Sequence, residues 1–122
     1  MKKRIIITLF LLLLIGCTKQ IAYKETRQPS PREKASFQLT QEGKQRLDEG
    51  KPDNAIRLLE QAIGLNPNNG QSYFYLAQAW LQKGVYSEAK EFNRLAQLYL
   101  KNDKKWSIRL EKQASQIERM GQ

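Results

Sequence analysis

A dense apolar run from Ile5 to Ile15, interrupted only by Thr8, follows directly on Lys2, Lys3 and Arg4. As a helix, these 11 residues span about 16 Å at 1.5 Å per residue, whereas a hydrocarbon core of about 30 Å takes roughly 20 residues to cross. A basic head, a short apolar middle and a small-residue exit at Gly16 read as an export leader over residues 1–16, not a membrane span. From Cys17 to Lys34 the pattern loses any period. Pro29-Ser30-Pro31, scattered charges and few aliphatic residues predict an unpacked tether over 17–34. A coil of that length has an r.m.s. span of about 20–25 Å.

Beyond Ala35 apolar residues recur at spacings of three and four, the period of helices with one buried face. Ala55, Leu59, Ala62 and Ile63 share a face of a helix expected from about Asp53, its candidate N-cap, to Leu65. Asn66-Pro67 ends it, because proline disfavours helical geometry in the residue before it. The next helix, about Gln71 to Lys83, is apolar nearly all round (Tyr73 to Ala77, Ala79, Trp80, Leu81) and so requires cover on several sides. Ser87 is the candidate cap of a fourth helix carrying Ala89, Phe92, Ala96 and Tyr99. A last helix over Lys104–Met120 places Trp106, Leu110, Ala114 and Ile117 on one face.

Laying Ser36–Asn69 over Gly70–Asp103 aligns Leu47 with Leu81, Gly50 with Gly84, Ala55 with Ala89, Ala62 with Ala96 and Asn68 with Asn102. In both copies small residues stand 5 and 12 positions after a glycine, as close helix approach after a tight turn requires. With this 34-residue period the chain resembles the tetratricopeptide repeat. The second copy carries the pattern in Tyr73, Leu76-Ala77, Trp80, Gly84, Tyr86, Ala89 and Ala96. The first carries it in Gly50, Ala55, Leu59, Ala62 and Leu65-Asn66-Pro67-Asn68-Asn69, with a worn first helix (Leu39, Glu42-Gly43, Arg46). The resemblance implies an all-α fold: a short α-solenoid of two helix-turn-helix repeats, 35–69 and 70–103, closed by a C-terminal capping helix, 104–122. It further implies a concave groove lined by Phe37, Thr40, Lys44, Leu47 and Asp48 from the first repeat and Gln71, Phe74, Gln78, Leu81 and Gln82 from the second. Phe74 and Leu81 are apolar beyond what packing obviously needs. They mark either a partner site or a surface covered by the tether or the last helix. One subclass of the family grips a C-terminal carboxylate with Lys, Asn and Arg at set groove positions. Thr40, Lys44, Gln71 and Tyr75 stand at those positions here, so that clamp is not expected.

Composition then narrows the function. The chain has 122 residues, no His and one Cys, which excludes an internal disulfide, Cys₄ and His₂Cys₂ zinc sites and any His-based triad. No catalytic residue, metal or bound cofactor is expected. Net charge is +9, and without the leader 18 basic residues face 12 acidic ones. Export and the dispersal of the charges argue against nucleic acid as the partner. Lys101, Lys104, Lys105, Arg109 and Lys112 do cluster around the last helix, leaving anionic lipid or cell-wall polymer as a further candidate. Leu14-Ile15-Gly16-Cys17 is similar to the lipobox of bacterial lipoprotein precursors. That resemblance implies a thioether-linked diacylglycerol on Cys17, a further acyl chain on its amine in bacteria with an outer membrane, and a membrane-anchored product. Thr18, where an Asp would retain the protein at the inner membrane, favours the periplasmic face of an outer membrane. In a single-membrane cell the anchor lies on the outer face of the plasma membrane. The sequence thus points to a non-enzymatic, lipid-anchored adaptor for envelope proteins, with a self-associating (homodimeric) spacer as the alternative.

Overall fold

The computed structural model describes residues 27–122, which form five helices: α1 (Pro31–Asp48), α2 (Pro52–Leu65), α3 (Gly70–Gln82), α4 (Tyr86–Leu100) and α5 (Lys104–Met120). The expected leader, Cys17 and most of the tether lie outside the described residues. None of the described helices is long and apolar enough to cross a membrane.

Helix α1 starts earlier than the tether boundary at residue 34 allows, because Ser30-Pro31-Arg32-Glu33 is a complete start signal. The Ser30 hydroxyl accepts from Glu33 N at 3.2 Å, the Glu33 carboxylate accepts from Ser30 N at 2.7 Å, and Pro31 opens the helix. Helix α1 therefore takes in Pro31–Lys34, four residues expected in the tether.

The two glycine turns do what their alignment implies. Gly50 and Gly84 have φ of 71° and 73°. In each, two bonds close the preceding helix: Lys51 N to Arg46 O (2.8 Å) with Gly50 N to Leu47 O, and Val85 N to Trp80 O (3.0 Å) with Gly84 N to Leu81 O. The residue right after each glycine already starts the next helix, Lys51 O accepting from Ala55 N and Val85 O from Ala89 N. This corrects the expected caps. Asp53 and Ser87 lie inside the first turns of α2 and α4, behind Lys51 and Val85 as N-caps, neither of which makes a side-chain capping bond. Asp53 still favours the helix as an acidic group near its N-terminus. Helix α2 ends at Asn66, extended before Pro67 as expected.

Helices α1, α3 and α5 form one layer, with α3 touching both others; α2 and α4 form the second, each packed on its neighbours in the chain. Helix α3 lies in the middle and buries nine of its 13 residues, Leu76 completely. Two close approaches set the spacing. A Cβ on Gly43 of α1 would lie 2.7 Å from Leu59 Cγ of α2, and one on Gly70 of α3 would lie 2.5 Å from Leu100 Cγ of α4.

Substitution of Gly43 by Ala is expected to destabilise the fold by about 1–3 kcal/mol through overpacking against Leu59. Gly64→Ala, with open space at the added methyl, is expected to stabilise it by about 0.5–1 kcal/mol. Urea midpoints of the two variants moving in opposite directions is the check. Glu33 is held below the usual carboxylate range, first by the bond from the Ser30 backbone, then by its hydroxyl and Arg27. A depressed native pKa means that the charged cap's contribution is present above the ordinary Glu value of about 4.3 and lost as pH falls through the native one. Glu33→Gln is therefore expected to flatten the acid side of a stability–pH profile and to leave its alkaline side unchanged.

Candidate partner-binding cleft

The layer of α1, α3 and α5 sorts the groove residues into three groups. Phe37, 52% exposed, stands alone near the start of α1, beside a hollow of about 480 Å³ that it shares with Pro29, Glu33, Lys34 and Gln38. Gln71 is half-buried at the start of α3.

Thr40 is fully buried and belongs to packing, correcting its groove assignment. Its hydroxyl donates to Ser36 O at 2.7 Å, is bonded to the Ser72 hydroxyl at 2.7 Å and accepts from Asn69 Nδ2 at 3.1 Å. This polar knot pins α1 to α3, and its buried hydroxyls satisfy one another. Phe74 and Leu81 are also covered, at 7% and 4% exposure, so they are not free anchors for a partner. The cover is α5. Trp106 meets Phe74 edge to face with centroids 5.2 Å apart, the Arg109 guanidinium lies 4.9 Å from the Phe74 ring, and Leu81 clusters with Ala89 and Ile117. Of the two readings the apolar excess allowed, cover by the last helix is the one the structure shows.

The five remaining members converge. Lys44, Leu47, Asp48, Gln78 and Gln82 line one cleft of about 270 Å³ together with the covered Phe74 and with Tyr75 and Arg109. Its floor is apolar, with Leu47, Phe74 and Tyr75 all buried, and its rim is polar. Lys44 and Asp48 pair across one helical turn at 3.4 Å. Gln82 Nε2 donates to Leu47 O at 3.3 Å, tying the end of α3 to the end of α1. Arg109 stacks over two rings, 4.2 Å from the Trp106 centroid and 4.9 Å from that of Phe74. Repeat alignment missed Arg109 because its frame stops at Asp103, although Arg109 follows the α5 face residue Trp106 by one turn.

A second feature missed from sequence is the polar seam that docks α5. Asn93 of α4 and Gln113 of α5 are both 3% exposed, where the apolar pattern had put Phe92 and Ala114. Gln97 Nε2 donates to Asn93 Oδ1 (2.6 Å). Asn93 Nδ2 donates to Leu110 O (3.1 Å) and Gln113 Oε1 (2.9 Å). Gln113 Nε2 donates to Phe74 O (3.1 Å) and Gln78 Oε1 (3.3 Å). The signal lay in position: both residues occupy sites on buried helical stripes, where an amide is retained only with partners. On the outer side α4 and α5 enclose a hollow of about 450 Å³, but its Asn93 is bonded within this seam and its Arg94 to Glu91.

Shifted ionisations lie away from the cleft. Glu49 and Glu91 are lowered, first by bonds from Arg46 and Arg94 respectively, and Tyr73 is raised by burial and by Tyr99, on which it stacks at 5.3 Å. Among the described residues, no group of three or more His, Cys, Asp or Glu could hold a metal ion.

Two helix pairs, each joined by a glycine turn, with a last helix against α3 and a cleft between α1, α3 and α5, define a short helical-repeat protein. The family model described as tetratricopeptide repeat matches residues 46–108, just over half of the 122, from the last turn of α1 into α5. The chain belongs to the tetratricopeptide repeat family, whose domains engage protein partners. No curated protein matches the chain.

Replacing Trp106 by Ala removes the edge-to-face cover of Phe74 and Tyr75. A loss of about 3–5 kcal/mol is expected. Thermal unfolding followed by helical circular dichroism checks it, and a change below about 1 kcal/mol would mean that α5 does not hold the core closed.

Proposed function

We propose that this chain is a lipid-anchored, non-enzymatic adaptor that recruits a protein partner to the cell envelope through the cleft between α1, α3 and α5. The observation that carries the adaptor reading is the convergence of six groove residues from two repeats on that one cleft. Its volume, about 270 Å³, suits one or two side chains of a docked segment and lies below the roughly 300–1,000 Å³ of small-molecule sites. The anchor rests on the leader and on Cys17 at its exit. One acyl chain alone binds a membrane reversibly, whereas two or three hold a protein there stably.

The anchor is tested by feeding cells an alkyne fatty acid. The parent chain is expected to be labelled and to sediment with membranes, and Cys17→Ser to do neither; a labelled, sedimenting variant would overturn the anchor. The adaptor is tested by photo-crosslinking in the same cells from Gln78 or Gln82 in the cleft and from Glu60, exposed on α2. A discrete protein adduct from the cleft positions and none from Glu60 is expected. Equal yields, or no adduct from the cleft, would overturn it.

A further inference from the structure

The amide seam between α4, α5 and α3 runs in one direction only. Leu110 O and Phe74 O are backbone carbonyls and can only accept, so Asn93 and Gln113 must each present an NH₂ group to them. Gln113 Nε2 also donates to the Gln78 side chain, which must therefore offer its oxygen. The Gln78 NH₂ group takes no part in this bond, the residue lines the cleft, and among the described residues no acceptor takes the NH₂ protons. The orientation of a rim amide is thus dictated, through Gln113, by the buried carbonyls of Phe74 in α3 and Leu110 in α5.

Two further donors share the rim. Arg109 is half-buried with its guanidinium held over the Trp106 and Phe74 rings at 4.2 and 4.9 Å, a cation–π contact that leaves its N–H groups for hydrogen bonds. No carboxylate among the described residues pairs with it. Lys44 spends one contact on Asp48, the one carboxylate lining the cleft. Beyond the cleft, Lys105 and Lys112 flank Arg109 at i−4 and i+3 on the same stripe of α5, so the positive edge continues over about two turns.

We infer that the cleft and this edge recognise an acidic segment of the partner, one Asp or Glu carboxylate seated on Arg109 and Gln78 and neighbouring acidic residues lying along Lys105 and Lys112. The inference rests on the adaptor reading and specifies its partner's chemistry. A row of cations matches a run of carboxylates better than a single chain end, and the apolar floor accepts an aliphatic or aromatic neighbour. A guanidinium paired with a carboxylate makes a charge-assisted bond, the strong form of such a contact.

The test is selection of displayed random short peptides on the full chain purified from membranes. Peptides enriched in adjacent Asp or Glu are expected. Their affinity should fall at least about ten-fold in Arg109→Met, which keeps an unbranched stem over the rings, and similarly in Gln78→Glu, which turns a donor into an acceptor. Unchanged thermal unfolding of both variants shows that the loss is not misfolding. Amidation of the peptides' C-termini should leave binding unaltered. Selection of neutral or basic peptides whose binding still needs Gln78 and Gln82 would overturn the inference and leave the adaptor standing. Failure to select any cleft-dependent peptide would overturn both. Loss of binding on amidation would assign the cleft to chain ends. Binding of Cys17→Ser protein to phosphatidylglycerol vesicles through Lys105, Arg109 and Lys112, with no peptide selected, would assign the edge to lipid.

Discussion

Helix α3 presents almost no face that tolerates water, and the rest of the molecule follows from the need to cover it. On one side Ser72 joins the hydroxyl knot with Thr40 of α1; on another Tyr73 stacks on Tyr99 of α4. The third side, carrying Phe74 and the backbone carbonyl of that residue, is closed by Trp106, Arg109 and Gln113 of α5. A two-repeat array is short for a solenoid, since end repeats leave apolar surface open. Here the last helix supplies what a third repeat would, with an aromatic contact for the ring and an amide for the carbonyl. The same closure shapes the cleft, because α5 contributes its cationic wall.

Much of this was legible in the sequence, and the successes share a physical cause. Gly50 and Gly84 sit where left-handed backbone is needed, and Asn66-Pro67 cannot continue a helix, so the turns and the stop followed from local chemistry. The repeat period and the apolar stripes gave the number and order of helices. The helix starts were less readable: Asp53 and Ser87 look like caps, but the closing bonds of each glycine turn start the next helix at once. Ser30 with Glu33 was a readable cap within a segment whose prolines suggested only coil.

The candidate site was half legible for a related reason. Repeat positions identify the concave face but do not say which of its residues the neighbouring helices cover. Thr40, Phe74 and Leu81 look available on one helix and are buried by another. Arg109, Asn93 and Gln113 matter only through contacts across three helices, so no spacing within one helix reveals them. The outcome is a smaller cleft than the repeat frame implied, with one wall supplied by α5.

Helix α5 is an integral wall of the repeat array and not an appended helix. Native-state hydrogen exchange tests this most directly. The amides of Leu110 and Gln113 in α5 are expected to exchange only through the global unfolding that exposes Leu76 in α3, with the same free energy of opening. Exchange of the α5 amides through a separate opening well below the global one would contradict the account, because the cleft would then lose its cationic wall while the repeats stayed folded.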